Sequence, residues 1–203
     1  KFTNAYRASD RTSQYLIKNV IYQNEYTEED IVFRILLFKT FNKIETWENL
    51  ERELGIVDYK GFSIERYGRV LNDLYEEGEK IYSGAYIMAS GKAFFGYERK
   101  FMNHLLLIDY MMKDNITQKI VQCKSMKDLY NTLLLYPTIG TFLAYQYAID
   151  INYSELVDFD EMEFVVAGPG AKAGIRKCFD NAGEYSDDYI IRYMCEYQED
   201  ECK

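Results

Sequence analysis

The chain has 203 residues, of which 48% are hydrophobic and 28% charged, so it is long enough and apolar enough to bury the core of one domain. Its net charge of −9 weighs against a protein that holds nucleic acid on an evenly basic surface. No apolar run is long enough for a membrane-spanning helix, and the four cysteines and single histidine lack the spacing of a zinc site. We expect a soluble, cytoplasmic protein with no metal and no other cofactor.

The first half of the chain has the pattern of capped helices joined by short turns. Thr27 stands before three acidic residues and an apolar stripe, which predicts the start of a helix. Thr46 is expected to cap the next helix, which stops at Gly55. Ser63 is expected to cap a third helix, which stops before Gly78.

The second half continues this helical pattern. The predicted helices are residues 81–93 (a short helix between loops), 97–112, 115–123, 125–135, 171–181 and 186–197. No pair of alternating strands and no internal repeat is visible in the sequence. The fold class is therefore all-α with roughly ten helices, and residues 1–203 are expected to form a single helical domain.

Residues 125–151 predict a helix–turn–helix segment. Pro137 ends the first helix, Gly140 permits a close approach of another backbone, and the second helix opens at Thr141. The amides of such a helix N-terminus bind phosphate without basic side chains, which suits an acidic protein. An ordinary corner between two helices is the competing interpretation. The residues of this segment expected to contact DNA are Thr138, Gly140, Thr141 and Gln146.

Two carboxylates, Asp158 and Asp160, follow this segment after one helix. Clustered carboxylates commonly carry acid–base or charge-stabilising chemistry, so both are candidate catalytic residues. The alternative is that both residues belong to the N-terminus of a helix, where their negative charges complement the helix dipole.

Two further segments are candidates for contacts with nucleic acid. A glycine-rich turn leads into a basic helix and supplies Gly168, Gly170 and Lys172 as phosphate ligands, although the spacing of a P-loop is absent. The N-terminal residues 2–16 interleave aromatic, amide and arginine side chains, which favours base contacts by Asn4, Arg7 and Arg11. A tight loop and an ordinary surface helix, respectively, would explain the same residues.

Several strings together resemble a known family: residues 2–11, 33–39, 41–47, 85–88, 142–146 and 168–171. They resemble the helical domain associated with 5-hydroxymethyluracil DNA kinases. That domain is similar to the alpha-glutamyl/putrescinyl thymine pyrophosphorylases and to helix–hairpin–helix DNA glycosylases. The resemblance covers nearly the whole chain and implies a multi-helix fold like that of the glycosylases.

The resemblance also assigns roles to residues near the turn. The glycosylase hairpin reads Leu-Pro-Gly-Ile/Val-Gly; here Tyr136 replaces the leucine and Thr138 the first glycine. Phe142 stands where the lyase-active branch has lysine, so no Schiff-base step is expected. Asp158 matches the Val-Asp context of the family's aspartate, and both Asp158 and Asp160 lie at about the family's spacing from Gly140. The resemblance therefore implies that one of them stabilises positive charge on the sugar or activates a nucleophile.

The implied function is that of a DNA-binding, base-flipping enzyme acting on a 5-modified pyrimidine by excision or hypermodification, in phage DNA modification or anti-phage defence. Its setting would be a bacterial or phage-infected cell. The alternative is a non-catalytic DNA-binding module that partners a separate P-loop 5-hydroxymethyluracil DNA kinase. An unrelated helical interaction protein is the third hypothesis, to which the acidic charge lends weight.

Overall fold

The computed structural model describes residues 7–84, 88–179, 181 and 183–201, and this part of the chain is helical with no strand. The predicted all-α fold class is thereby confirmed. The chain divides into two compact units, Lys1–Asp158 and Phe159–Lys203. Their assembly into a single domain stays a prediction, as does the glycosylase-like detail of the fold. No helix in the described ranges is long and apolar enough to cross a membrane.

Each unit is a succession of helices. The described part of the first unit has a 3₁₀ turn at Arg7–Ser9, a π-helix at Leu16–Ile21 and the helices α1 (Arg11–Tyr15), α2 (Glu28–Phe41), α3 (Ile44–Leu54), α4 (Ile64–Glu76), α5 (Lys92–Phe95), α6 (Lys100–Lys113), α7 (Ile116–Val121), α8 (Met126–Leu134) and α9 (Thr141–Asn152). That of the second unit has α10 (Pro169–Cys178), α11 (Asp187–Glu196) and α12 (Gln198–Glu201).

Helix α2 is the centre of the first unit. Every residue from Val32 to Phe41 is buried, so the helix has no solvent-facing stripe over its last ten positions. The π-helix, α3, α6, α7 and α9 all pack against it. Any charged side chain on this part of α2 must therefore find its partner inside the protein.

Most of the predicted helix caps are confirmed. The hydroxyls of Thr27, Ser63 and Ser125 accept hydrogen bonds from the amides three residues ahead, at 3.1, 3.3 and 3.1 Å. The prediction for Thr46 is wrong, because α3 begins two residues earlier and this hydroxyl is buried. It donates instead to the carbonyl oxygen of Ile81 at 2.8 Å, a partner that only the tertiary fold provides.

The guanidinium of Arg34, on α2, holds the π-helix in place. It donates from Nε to the carbonyl of Val20 at 2.7 Å, from Nη1 to Val57 at 2.6 Å and from Nη2 to Asn19 at 3.0 Å. Glu51 lies 3.8 Å away as the nearest carboxylate. Burial lowers the pKa of Arg34, and the hydrogen bonds offset this loss of solvation.

Replacing Arg34 by methionine will remove these three donors and leave buried carbonyl groups without partners. We expect the free energy of unfolding in urea to fall by about 3 kcal/mol or more. Arg52→Met is the matched control, since Arg52 is exposed on α3 and its loss should change little. A stability for Arg34→Met equal to that of Arg52→Met would contradict this role.

The only histidine in the sequence, His104, is a buried structural residue. Its Nε2 donates to the carbonyl oxygen of Ala89 at 2.7 Å, so Nδ1 accepts from the hydroxyl of Tyr82 at 2.8 Å. Burial lowers the pKa of His104 from 6.5 to about 4. Because the folded state prefers the neutral ring, its contribution to stability is complete above pH 6.5 and is lost as the pH falls from 6.5 towards 4.

This assignment can be read directly from the imidazole C–H signals in an NMR titration, which no second histidine obscures. We expect a midpoint at pH of about 4 in the folded protein. A midpoint near that of a free histidine would show that the ring is solvated and would contradict the buried arrangement.

Candidate functional site

A cavity of about 250 Å³ opens in the first unit where the N-terminal segment, the end of α2 and α9 meet. Its wall includes four charged residues, two side-chain amides and two aromatic rings. They are Arg7, Asp10, Lys39, Asp150, Asn42, Gln146, Phe38 and Phe142. Two of the four charged residues, Lys39 and Asp150, are buried, and the charges are of both signs, so the cavity is a prearranged polar site and not an open basic surface.

The carboxylate of Asp150 is the most deeply buried of these groups and is only 2% exposed. Its Oδ1 accepts a hydrogen bond from Arg7 Nη2 at 2.8 Å. Its Oδ2 pairs at 3.0 Å with Nζ of Lys39, which lies on the central helix α2. Burial lowers the pKa of Lys39, and the charge of Asp150 opposes this effect. One carboxylate therefore joins the N-terminal segment, α2 and α9.

Helix α9 presents three side chains to the cavity at intervals of one turn. Phe142, Gln146 and Asp150 follow one another at four-residue spacing and so share a face. Gln146 Oε1 accepts from Arg7 Nη1, so the guanidinium spans both polar positions. Phe142 lies nearest the start of the helix and remains 40% exposed. Along α9 from its N-terminus, this face therefore begins with an accessible aromatic ring and ends with a buried charge.

The end of α2 and the start of α1 complete the wall. Asn42 ends α2 in a left-handed conformation, with φ of 48°, and its Oδ1 accepts from Lys39 Nζ at 3.5 Å. Asp10 caps α1 by accepting at Oδ2 from the amides of Thr12 and Ser13, at 3.0 and 3.3 Å. Both side chains are positioned by a helix terminus, which limits their freedom.

The turn between α8 and α9 leads directly to this face. Helix α9 begins at Thr141 as predicted, with Gly140 as its N-cap and no side-chain bond from that residue. A Cβ on Gly140 would meet nothing within 4 Å, so the space beside it is open to an external group. Tyr136, which is buried, anchors the turn by donating from its hydroxyl to Asp114 Oδ2 at 3.0 Å.

Thr138 occupies the strained position of the turn. Its φ of 67° lies in the left-handed region, which β-branched residues rarely adopt. Its Oγ1 is buried, and no described residue places a hydrogen-bonding partner on it. The backbone conformation at this position is one that favours glycine, and the buried hydroxyl of Thr138 makes no hydrogen bond with a described residue that would stabilise it.

Replacing Thr138 by glycine should therefore stabilise the protein by about 1 kcal/mol, despite the greater entropy of glycine in the unfolded chain. Thr138→Val is the matched control, because it removes the hydroxyl but keeps the branched side chain in the left-handed region. In thermal and urea unfolding, Thr138→Gly should be more stable than Thr138→Val. A Thr138→Gly variant less stable than the parent protein would show that the turn is unstrained.

None of the remaining predicted residues that the structure describes after the turn and in the N-terminal segment lines the cavity. Arg11 is exposed, 3.9 Å from Glu45, and does not line the cavity, while Asn4 lies outside the described residues. Gly168 is the N-cap of α10, with Gly170 exposed in its first turn. Lys172, on the same helix, lies 3.9 Å from Asp187. The roles of all five residues as contacts to nucleic acid stay predictions.

The two predicted catalytic aspartates are both exposed. Asp158 ends the first unit, and Asp160 lies in the second, where its Oδ1 accepts from the amide of Met162 at 2.8 Å. The alternative that they start a helix is wrong, because the described residues between α9 and α10 contain no helix. Their catalytic role stays a prediction.

Sequence reasoning missed Lys39 and Asp150. A usable signal was present: each is an isolated charge in an apolar helical stretch, and such charges are buried only when paired. Asp10 and Asn42 gave no comparable signal, since capping residues of their types are common at helix ends.

The Asp150 pairing can be tested by removing one charge or both. Asp150→Asn leaves the ammonium of Lys39 buried beside a neutral group, so the free energy of unfolding should fall by about 3 kcal/mol. The double variant Lys39→Met/Asp150→Leu should recover at least half of that loss, because neither charge remains. Asp109→Asn is the control, since its partner Lys113 is exposed. No recovery in the double variant would contradict a stabilising charge pair.

Comparison with known proteins places the whole chain, residues 1–203, on the family model described as "5-hmdU DNA kinase, helical domain". A curated relative, the 5-hmdU DNA kinase of Bacillus phage SP10, is 25% identical over 211 residues. The match covers 95% of this chain and 32% of the relative, so the chain spans about a third of the relative's length. No solved structure matches.

Proposed function

Since the chain belongs to the family of 5-hmdU DNA kinase helical domains, we propose that it binds DNA and holds a 5-modified pyrimidine, turned out of the double helix, in the cavity beside Asp150. The observation that carries this proposal is the convergence of Arg7 with Gln146 and Asp150 in a polar cavity. The DNA would be that of a phage or of an infected bacterial cell.

The size and chemistry of the cavity suit one base. At about 250 Å³ it is smaller than the pockets that hold drug-sized ligands, which favours a base over a whole nucleotide. Phe142 offers an accessible ring for stacking, and the amides of Gln146 and Asn42 offer donors and acceptors for a base edge. The network around Asp150 keeps this wall rigid before a base arrives.

The turn before α9 supplies the contact with the DNA backbone. Its exposed Gly140 and Thr141 present a helix N-terminus with open space beside it, on a chain whose net charge is −9. The left-handed φ of Thr138 is what the first glycine of a helix–hairpin–helix turn would permit, which supports the proposed likeness. Phe142 follows Thr141 directly, so backbone and base contacts share one helix end.

Binding tests this proposal. Fluorescence anisotropy at low salt should show tighter binding to a duplex with one 5-hydroxymethyluracil than to the same duplex with thymine. Phe142→Ala should weaken binding about tenfold, because a stacking contact is lost. Phe94→Ala is the matched control, since Phe94 is also an exposed phenylalanine but lies outside the cavity. Equal affinities for both duplexes, or equal effects of both variants, would overturn the proposal.

A second candidate function is chemistry on the held base, either its excision or substitution at its 5-position. The observation that favours it is a buried carboxylate flanked by Lys39 and Arg7 at the cavity, since fixed charges stabilise developing charge in a transition state. Asp150 would then stabilise positive charge on the sugar or on an activated 5-methylene group. Asp158 and Asp160 are the alternative candidates for this role.

The enzyme and the binding module give different results in one assay. The protein is incubated with plain, hydroxymethylated and glucosylated DNA, and released bases and altered nucleotides are identified by mass spectrometry. Loss of turnover in a folded Asp150→Asn variant assigns the role to Asp150, while loss in Asp158→Asn or Asp160→Asn assigns it there. Modification-dependent binding without turnover identifies a module that serves a separate kinase.

A further inference from the structure

We infer that Asp10 is the specificity-determining residue for the substituent at the 5-position, selecting one that ends in a hydrogen-bond donor, such as hydroxymethyl, over the methyl group of thymine. This inference rests on the proposed binding of a modified base in the cavity. It adds which group of the protein distinguishes the modified base from the ordinary one.

The two oxygens of Asp10 have different surroundings. Oδ2 accepts both capping bonds, from Thr12 at 3.0 Å and Ser13 at 3.3 Å. No donor among the described residues lies within hydrogen-bond distance of Oδ1, and Asp10 forms no ion pair with any of them. Asp10 lines the cavity, and its Oδ1 is an acceptor that receives no hydrogen bond from the described residues.

The other cavity carboxylate is fully engaged. Asp150 gives one oxygen to Arg7 and the other to Lys39, so it has no comparable acceptor left for a ligand. Asp10 instead acts on Lys39 only from a distance, where its charge raises the pKa of that ammonium against the larger effect of burial. Of the two cavity carboxylates, Asp10 is therefore the one with an oxygen available to accept a hydrogen bond from a substituent.

An ionised carboxylate only accepts hydrogen bonds. A hydroxymethyl group at C5 of a pyrimidine ends in an O–H donor and would form a charge-assisted bond with Oδ1. A methyl group in the same place would cover that oxygen without offering a donor, which is unfavourable. A site built on such an acceptor rejects the analogue that lacks the donor more strongly than an apolar pocket could.

The cap itself supplies the variants that isolate this role. Asp10→Asn and Asp10→Ser keep a side-chain oxygen for the amides of α1 but remove the free carboxylate oxygen. Asp73→Asn is the matched control, because it makes the same change of charge at an exposed residue outside the cavity. Circular dichroism and thermal unfolding establish that each variant is folded.

The readout is the ratio of the Kd for a thymine duplex to the Kd for the same duplex with one 5-hydroxymethyluracil. We expect about a tenfold preference in the parent and in Asp73→Asn, and a ratio near one in Asp10→Asn and Asp10→Ser. If the parent protein shows no preference for the 5-hydroxymethyluracil duplex, the proposed function itself is wrong. If the parent shows the preference and both folded Asp10 variants retain it, only this inference is wrong.

Discussion

The first unit depends on one buried carboxylate. Asp150 holds Arg7 with one oxygen and Lys39 with the other, so a residue of α9 connects the start of the described chain to the central helix. The pairing is required because Lys39 lies on a stretch of α2 that is buried on every side. Without a partner, a charge in that position would be strongly destabilising.

The same interaction shapes the candidate site. Since Asp150 holds Arg7 against α9, the guanidinium also reaches Gln146, and the cavity wall is ordered before any ligand binds. A hydrophobic pair could have joined α2 and α9 as firmly, as replacement of buried ion pairs in other proteins shows. The retention of charge beside a cavity is what a binding or catalytic role explains. Fold stability and the proposed recognition of DNA are therefore linked through a single side chain.

Much of the helical framework could be predicted from the sequence because its signals are local. The caps at Thr27, Ser63 and Ser125 depend on neighbours three residues away. Thr46 misled because its partner, the carbonyl of Ile81, is brought near only by folding. The candidate site could be predicted only in part for the same reason. The residue types favoured Arg7 and Gln146 individually. Asp150, the carboxylate that pairs with Arg7 and Lys39, lies on an apolar helix, and the sequence pattern alone did not show that this residue is buried.

The central proposal is that the cavity holds the modified base of the DNA. A crystal structure of the chain with a duplex that contains one 5-hydroxymethyluracil tests this most directly. We predict that the modified base lies outside the base stack against Phe142, with the DNA backbone at Gly140 and the Arg7–Asp150 pair intact. A base that remains stacked in the duplex while the DNA contacts another surface would contradict the account.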